Sequence, residues 1–200
     1  MWKDLVLEAK SLACERGGRT IFRELNFAVK SGEAVELRGP NGAGKSSLLR
    51  LIAGLNRAAE GALTLGGATH EIAELSHYIG HQEAIKPALS VRENLDFWSH
   101  FMGGNTQNAL VPFKLERLAD DEAALLSEGQ RRRLALSRLI AVKRPIWLLD
   151  EPTVGLDVTA LDDLRKVMQS HLNSGGLIIA ATHATLGLAK ISTLAIGTTH

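Results

Sequence analysis

A short glycine-rich segment constrains the fold of this chain more than any other feature of its sequence. It begins at Gly39, and after four further residues it ends in Gly44, Lys45 and Ser46, which satisfies the pattern G-x-x-x-x-G-K-[ST]. Such glycines let the backbone wrap closely around a phosphate group, and the helix that follows directs its first N–H groups at the same anion. The alternative is a glycine-rich turn that precedes a helix by chance. We disfavour it because residues 34–37 predict a strand before the loop and residues 45–55 predict a helix after it.

The residues of this loop have separate predicted roles toward a nucleotide. Lys45 is expected to reach the β- and γ-phosphates, and the hydroxyl group of Ser46 is expected to ligate Mg²⁺. We predict that the whole loop binds the nucleotide, through Gly39, Pro40, Asn41, Gly42, Ala43, Gly44, Lys45, Ser46 and Ser47.

A second constellation lies at the end of an apolar run much later in the chain. Residues 146–149 are all apolar, as is typical of a strand covered on both faces, and Asp150 and Glu151 follow them directly. A carboxylate at the carboxyl end of a buried strand can hold Mg²⁺ beside a phosphate loop, and this role is predicted for Asp150. Glu151 lies one residue further on and is predicted to orient and deprotonate an attacking water molecule.

Composition and charge exclude several classes of protein. The 200 residues are 45% hydrophobic and 22% charged, values near those of globular proteins, which excludes a disordered chain. The 23 Lys and Arg residues balance 22 Asp and Glu residues, so we expect no nucleic-acid partner, because a dedicated nucleic-acid binder carries a basic surface. The single cysteine, Cys14, excludes an internal disulfide and a zinc site of four cysteines.

No segment is expected to be a signal peptide or a membrane span. Residues 1–18 lack the basic start and the long apolar stretch of a signal peptide. Residues 175–197 are the most membrane-like segment, but His183 and Lys190 interrupt them and their apolar runs have the length of strands. We interpret this segment as a buried strand with flanking structure, and we expect the chain to be soluble.

The remaining patterns alternate strands and helices. Ser90 and Glu93 fit a capping box, which predicts a helix that runs to about Met102. Residues 108–126 are mostly helical in composition, with an interruption at Pro112. Strands are predicted at residues 25–29, 61–65, 76–81 and 177–181, and further helices at residues 128–142 and 158–172. This order predicts an α/β core with an inserted helical subdomain.

The segment Leu126 to Gln130, which reads LSEGQ, makes a family resemblance definite. The phosphate loop, this segment and the strand that ends in two carboxylates occur in the same order in the ATPase subunits of ABC transporters, and the resemblance covers nearly the whole chain. It implies a P-loop NTPase of the ABC type, with a mainly parallel core sheet, an N-terminal antiparallel β subdomain and an inserted helical subdomain. Residues 1–200 then form one ABC ATPase domain. Its core and β subdomain comprise residues 1–83 and 143–200, and its helical subdomain comprises residues 84–142 with the LSEGQ segment.

The resemblance also implies that two copies of the chain close head-to-tail around two molecules of ATP with Mg²⁺. Ser127 and Gly129 of one copy would bind the γ-phosphate held by the phosphate loop of the other, and Gln130 belongs to the same nucleotide-binding segment. A helix N-terminus is a ready anion site, which agrees with this role. The family usually has glycine where this chain has Glu128, and a carboxylate facing a triphosphate would repel it. We therefore expect Glu128 to point toward solvent or toward a basic neighbour.

Three single residues are assigned through the same resemblance. Gln82 matches the glutamine that senses Mg²⁺ and links the site to the membrane partner. His183 matches the switch histidine that contacts the γ-phosphate, a role that only the other motifs favour over a structural one. Asp157 matches the D-loop aspartate, although Val154 and Gly155 replace the usual Ser-Ala before it, and it also reads as the N-cap of the next helix.

The group that stacks on adenine is less clear from the sequence. The family usually has an aromatic residue just before the N-terminal glycine turn, and this chain has Arg16 there. A planar guanidinium group can stack on a base, so Arg16 is one candidate. Phe22 is the other candidate, and its alternative role is in the core.

Three stretches, residues 12–19, 78–87 and 144–152, resemble the small ATP-binding subunits of the cytochrome c maturation system, usually described as haem exporter ATPases. The resemblance implies a dimer at the cytoplasmic face of the inner membrane, bound to integral membrane subunits. It would energise haem export or the release of haem from a periplasmic chaperone, and no direct haem binding by this chain is expected. The alternatives are the ATPase of another small-substrate transporter, a soluble ABC ATPase of DNA repair or translation, and a nucleotide sensor without turnover, against which Glu151 argues.

Overall fold

The computed structural model describes Trp2, residues 4–66 and residues 70–197. Eight strands and four α-helices cover most of these residues, with three short 3₁₀ helices between the second and third α-helices. The strands are β1 (Val6–Arg16), β2 (Arg19–Lys30), β3 (Ala34–Arg38), β4 (Glu60–Gly66), β5 (Ser76–Ile79), β6 (Ile146–Asp150), β7 (Leu177–Ala181) and β8 (Ile191–Ala195). The α-helices are α1 (Lys45–Ile52), α2 (Val91–Met102), α3 (Glu128–Ala141) and α4 (Val158–Asn173).

The strands form two sheets of different type. One has three antiparallel strands in the order β2-β1-β4. The tight hairpin between β1 and β2 turns at Gly17 and Gly18, whose positive φ values of 58° and 72° suit a two-residue turn. The other sheet has five strands in the order β5-β6-β7-β3-β8, and all of its neighbouring strands are parallel. The predicted α/β fold, with a parallel core sheet and an antiparallel N-terminal sheet, is confirmed.

The parallel sheet determines where a ligand can bind. In an open parallel sheet, the loops that follow the carboxyl ends of the strands form the ligand-binding edge. The phosphate loop follows β3, and Asp150 ends β6, the next strand but one in the sheet. β6 and β7 are buried along their whole length, as expected for central strands of this kind.

Two predicted elements need correction. The helix after the phosphate loop is shorter than predicted, because α1 ends at Ile52. The predicted helical character of residues 108–126 is wrong, since this stretch contains three 3₁₀ helices of three residues each. The physical reason is local: Asn108 and Lys114 adopt positive φ values of 60° and 55°, and Pro112 removes a backbone donor, so no α-helical hydrogen-bond ladder can build up.

The chain divides into two compact units. The first contains residues 1–80, 145–152 and 168–200, and the second contains residues 81–144 and 153–167. The domain boundaries given above, at residues 83/84 and 142/143, stay a prediction. None of the helices within the described residues has the length and apolar content that a bilayer crossing needs.

The hydrophobic core of the first unit joins both sheets to α1. Its members include Leu37, Leu48, Leu148 and Ile179, all fully buried. Cys14 belongs to the same cluster at 2% exposure. Burial raises the pKa of the Cys14 thiol, although the positive charge of Arg16 acts in the opposite direction. The thiol is therefore a small apolar core group with little thiolate at neutral pH.

A buried histidine couples the stability of the first unit to pH. His171 stacks on Trp147 with the ring centroids 3.8 Å apart and an interplanar angle of 11°, and one ring nitrogen lies 3.1 Å from the carbonyl oxygen of Pro145. Burial lowers the pKa of His171 to about 4, against the opposing effect of backbone hydrogen bonds. The unfolded chain therefore binds a proton at His171 between about pH 6.5 and pH 4, where the folded chain does not.

We expect this histidine to weaken folding in mild acid. Its contribution is fully present above about pH 6.5 and is lost as the pH falls toward 4, so the free energy of unfolding should drop by about 2 kcal/mol between pH 7 and pH 5 on this account. Urea unfolding of the parent and of His171→Phe, which keeps an aromatic ring against Trp147, measures the difference. Equal pH dependence in both proteins would contradict the prediction.

Candidate functional site

The phosphate loop takes a conformation that requires its glycines. Gly39, Gly42 and Gly44 have φ values of 152°, 83° and 102°, which side chains strongly disfavour. A Cβ atom on Gly39 would lie 2.2 Å from the carbonyl oxygen of Ile196, and one on Gly44 would lie 2.5 Å from Ile21 Cγ2. The glycines therefore serve both the turn and the close packing of the loop against its neighbours.

Lys45 lies at the start of α1 with its amino group inside the loop. Its Nζ donates hydrogen bonds to the carbonyl oxygens of Gly39 at 2.7 Å and of Pro40 at 3.1 Å, and the residue is 8% exposed. An ammonium group has three N–H donors, so one remains for an anion held by the loop. The loop is thus built around a fixed positive charge at the N-terminus of a helix, which also attracts anions.

Ser46 and Asp150 place two oxygen atoms side by side. Ser46 Oγ donates to Asp150 Oδ1 at 3.0 Å, and Asp150 is 5% exposed at the end of β6. Mg²⁺ prefers hard oxygen ligands, and it is usually held by one or two protein groups together with substrate phosphates. Within the described residues, no group of three or more His, Cys, Asp or Glu residues is placed to hold a metal ion unaided. The donor set therefore fits Mg²⁺ that is shared with a phosphate ligand.

Asp150 has a further neighbour that no sequence motif predicts. The hydroxyl group of Tyr78 donates to Asp150 Oδ2 at 3.4 Å, and Arg50 Nε donates to the same hydroxyl oxygen at 3.3 Å. Burial raises the pKa of Tyr78, with opposing contributions from Arg50, so the phenol keeps its proton and acts as a donor. No local motif marks this contact, because the three residues come from α1, β5 and β6.

Glu151, His183 and Asn41 meet beside the loop. Glu151 Oε1 lies 3.6 Å from His183 Nε2, and the same ring nitrogen lies 3.1 Å from Asn41 Oδ1. Glu151 has a positive φ of 48°, which is costly for a residue with a side chain, and its N–H donates to the carbonyl oxygen of Ala181 at 2.8 Å. Strained backbone of this kind concentrates at functional sites. Residues predicted from three separate motifs thus come together here.

The LSEGQ segment forms the start of α3 in the second unit. Ser127 is the N-cap residue: its Oγ accepts from the N–H of Gln130 at 3.2 Å, and Gln130 Oε1 accepts from the N–H of Ser127 at 2.7 Å. This reciprocal capping box fixes the first turn, whose N–H groups point to the helix end where an anion can bind. Gly129 is required for a close approach, because a Cβ atom there would lie 2.8 Å from the carbonyl oxygen of Gly155. Glu128 is exposed, as expected.

Gln82, Asp157 and Arg16 are exposed and lie at or beyond the ends of their elements, whereas Phe22 is buried. Gln82 is exposed in the bend after β5. Asp157 caps α4, since its Oδ1 accepts from the N–H of Ala160 at 2.8 Å. Arg16 is exposed at the end of β1, whereas Phe22 is 6% exposed within the core of the first unit. The assignment of an adenine-stacking residue stays a prediction.

Comparison with known proteins places these motifs in one family. The family model described as "ABC transporter" matches residues 22–154. The cytochrome c biogenesis ATP-binding export protein CcmA of Nitrobacter winogradskyi is 52% identical over 188 residues, which cover 92% of this chain and 94% of that protein. The protein of the same name from Brucella abortus is 46% identical and covers 91% of this chain and 87% of its own length.

Solved structures share the fold of this chain. A structure of the ATP-binding subunit of an ABC transporter superposes with a TM-score of 0.83, although the two sequences are only 24% identical; the match covers 96% of this chain and 88% of that one. A component of an ABC transporter complex from Clostridium perfringens has a TM-score of 0.76 and 25% identity, with 91% of this chain and 80% of that one covered. The chain therefore belongs to the ABC transporter family, as an ATP-binding protein of the group that contains the CcmA proteins.

Proposed function

We propose that this chain is the ATP-hydrolysing subunit of an ABC transporter complex that serves cytochrome c biogenesis. The observation that carries this proposal is the cluster of Ser46, Asp150, Glu151 and His183 around a glycine-rich phosphate loop, in a chain about half identical to several CcmA proteins. ATP use would energise haem export or the release of haem from its periplasmic chaperone, and the chain itself has no expected role in binding haem.

In the proposed mechanism each residue acts at a stated place. Lys45 and the loop N–H groups hold the β- and γ-phosphates, while Ser46, Gln82 and Asp150 hold Mg²⁺. Bound Mg²⁺ supplies a Lewis acid that offsets the charge of the phosphates. Glu151 orients the attacking water and accepts its proton. His183, whose imidazole faces both Glu151 and the loop, contacts the γ-phosphate.

The proposed active unit is a head-to-tail dimer. Ser127, Gly129 and Gln130 of one copy would complete the site that Lys45 and Ser46 begin in the other, with Asp157 beside the second copy. The capping box supports this arrangement because it pre-forms a helix N-terminus whose first-turn N–H groups can receive a phosphate. Binding to a rigid element also loses less conformational entropy than binding to a mobile loop.

The proposed membrane partner docks on an aromatic surface of the second unit, which we define as Phe97, Trp98 and Phe101. Phe97 and Phe101 on α2 are 41% and 76% exposed, and Trp98 contacts both rings edge-on. Exposed aromatic side chains next to one another are typical of a protein interface rather than of a free surface. Docking there would hold the chain at the cytoplasmic face of the inner membrane through integral membrane subunits.

A charge on this aromatic surface should release the chain from its partner. We expect Phe101→Asp to lower the amount of chain recovered with the membrane subunits at least about 10-fold, because it puts a charge into an apolar contact, while ATP binding stays unchanged. Leu55→Asp is the matched control, since Leu55 is another exposed apolar residue, 63% exposed, in the first unit. Equal recovery of the two variants would exclude the aromatic surface as the docking site.

Co-purification tests the proposed function as a whole. Membranes that contain a tagged copy of the chain are solubilised in detergent, and the captured proteins are identified. Recovery with integral membrane subunits of cytochrome c maturation supports the proposal. Recovery with membrane subunits of a different transporter would contradict the proposed role in cytochrome c biogenesis and indicate another substrate. Recovery with ribosomes or DNA would overturn the transporter role.

A further inference from the structure

Two charged residues in the strand before the phosphate loop have no role in the site described so far. Glu36 and Arg38 lie two residues apart on β3, so their side chains leave the same face of the sheet. Glu36 is only 5% exposed, in a strand position that is usually apolar in a parallel sheet. Burying a carboxylate costs free energy unless hydrogen bonds and an opposite charge satisfy it. The groups that satisfy Glu36 therefore indicate its role.

Glu36 forms hydrogen bonds to Arg38 and to one loop after β7. Glu36 Oε2 accepts from Arg38 Nε at 3.1 Å and from Arg38 Nη2 at 2.5 Å. Glu36 Oε1 accepts from the N–H of Leu186 at 2.7 Å and from the hydroxyl group of Thr185 at 3.3 Å. Burial would raise the pKa of Glu36, but these hydrogen bonds together lower it below its ordinary value, so the carboxylate is charged at neutral pH.

Arg38 extends the same hydrogen-bond network to the main chain of His183. Its Nη1 donates to the carbonyl oxygen of His183 at 2.6 Å. One ion pair therefore holds residues 183–186 at three points: a carbonyl group, a hydroxyl group and an N–H group. Within the loop, Thr182 Oγ1 adds local bonds to the main chain of Ala184.

The imidazole of His183 stands only two rotatable bonds from the main chain that Arg38 holds. Its Nε2 lies 3.1 Å from Asn41 Oδ1 and 3.6 Å from Glu151 Oε1. A shift of the main chain by about 1 Å away from these groups would lengthen both distances beyond hydrogen-bonding range. Misplacement on this scale can slow a reaction about 100-fold. The geometry of the site thus depends on how firmly the backbone of residue 183 is held.

We propose that Glu36 and Arg38 are positioning residues, which act through His183 by fixing the backbone that carries its imidazole. This inference rests on the proposed role of His183 at the γ-phosphate. ATP hydrolysis would then require more than the phosphate loop, the carboxylates and the LSEGQ segment. It would also require an intact ion pair in the strand that precedes the loop.

A purely structural role for the ion pair makes a different prediction. Replacing a buried ion pair by apolar residues of similar size is often neutral or stabilising. The double variant Glu36→Leu/Arg38→Met should then fold well and hydrolyse ATP like the parent. If the pair positions His183, the same folded variant should still bind ATP but turn it over slowly.

Steady-state kinetics distinguish the positioning role from the purely structural role. The full chain is used, in complex with its membrane subunits where the basal rate requires them. We expect Glu36→Leu/Arg38→Met to lower kcat about 10-fold, with the KM for ATP within about two-fold of the parent. In a His183→Ala background, the same double change should have no further effect, because residues that act through one another are not additive. Lys114→Met, which breaks the ion pair with Asp163 in the second unit, is the control and should leave kcat unchanged.

Two further measurements keep the test decisive. Arg38→Lys retains the charge but lacks the planar guanidinium group, which reaches Glu36 through Nε and Nη2 and the His183 carbonyl through Nη1. It should therefore lower kcat as well, and it provides the test if the double variant does not fold. The ring NMR signals of His183, assigned by their loss in His183→Ala, should shift or broaden in the Arg38 variants and not in Lys114→Met. Parent-like kcat in Arg38→Lys or in the folded double variant, or an equal loss in the His183→Ala background, would overturn the inference. An unchanged kcat in His183→Ala would instead overturn the role of His183 itself.

Discussion

Replacing Glu151 by Gln is expected to slow ATP hydrolysis at least about 100-fold while ATP binding stays intact. General-base catalysis by a positioned carboxylate typically contributes a factor of about 10² to 10⁴, and an amide cannot take up the proton of the attacking water. The substitution keeps the shape of the side chain, the hydrogen bond from the N–H group of residue 151 to the Ala181 carbonyl, and the left-handed backbone there. We therefore expect the fold to stay the same.

This variant should also report on the proposed dimer. If hydrolysis is what opens two closed copies, Glu151→Gln with ATP and Mg²⁺ should elute as a dimer in size-exclusion chromatography, while the parent returns to the monomer. Phosphate release and light scattering measure the two effects. Glu60→Gln, at an exposed position of β4, is the control and should behave like the parent. Rapid turnover by Glu151→Gln would remove Glu151 from the role of base.

Replacing Lys45 by Ala is expected to weaken ATP binding by at least about 100-fold, and hydrolysis with it. Lys45 is 8% exposed, and two carbonyl groups of the loop fix its ammonium group. Its charge therefore acts on the phosphates at short range and is little screened by water. Losing a charge-assisted contact of this kind costs roughly 2 to 5 kcal/mol in binding when the group it leaves behind is buried.

Isothermal titration with a non-hydrolysable ATP analogue measures this loss. Lys30→Ala removes an exposed lysine at the end of β2 and should bind the analogue like the parent. Undiminished ATPase activity of Lys45→Ala would exclude the assignment of the phosphate loop.

The features that were predictable from the sequence are those set by neighbouring residues. The phosphate loop depends on glycines close together in the chain, and the capping box at Ser90 depends on a partner three residues away. The strand that ends in Asp150 is also predictable from its own residues, because a central parallel strand is apolar throughout.

The features that escaped prediction arise from contacts between distant parts of the chain. Tyr78 reaches Asp150, and Glu36 reaches the N–H group of Leu186, and no spacing rule connects such pairs. β1 was not predicted as a strand for a local reason: its register shifts twice between Ala9 and Cys14, and Ser11 has a positive φ of 46°, so apolar and polar residues lose their regular alternation there.

The burial of Cys14 has a practical consequence for testing the proposed dimer in solution. It is the single cysteine of the chain, and at 2% exposure with a raised pKa its thiol reacts slowly with maleimide and methanethiosulfonate reagents. A cysteine introduced at an exposed position such as Gln107 can therefore carry a spin label or dye without removing any native residue of the core. Each dimer would then hold one pair of probes, and the distance between them would follow opening and closing through a cycle of ATP binding and hydrolysis.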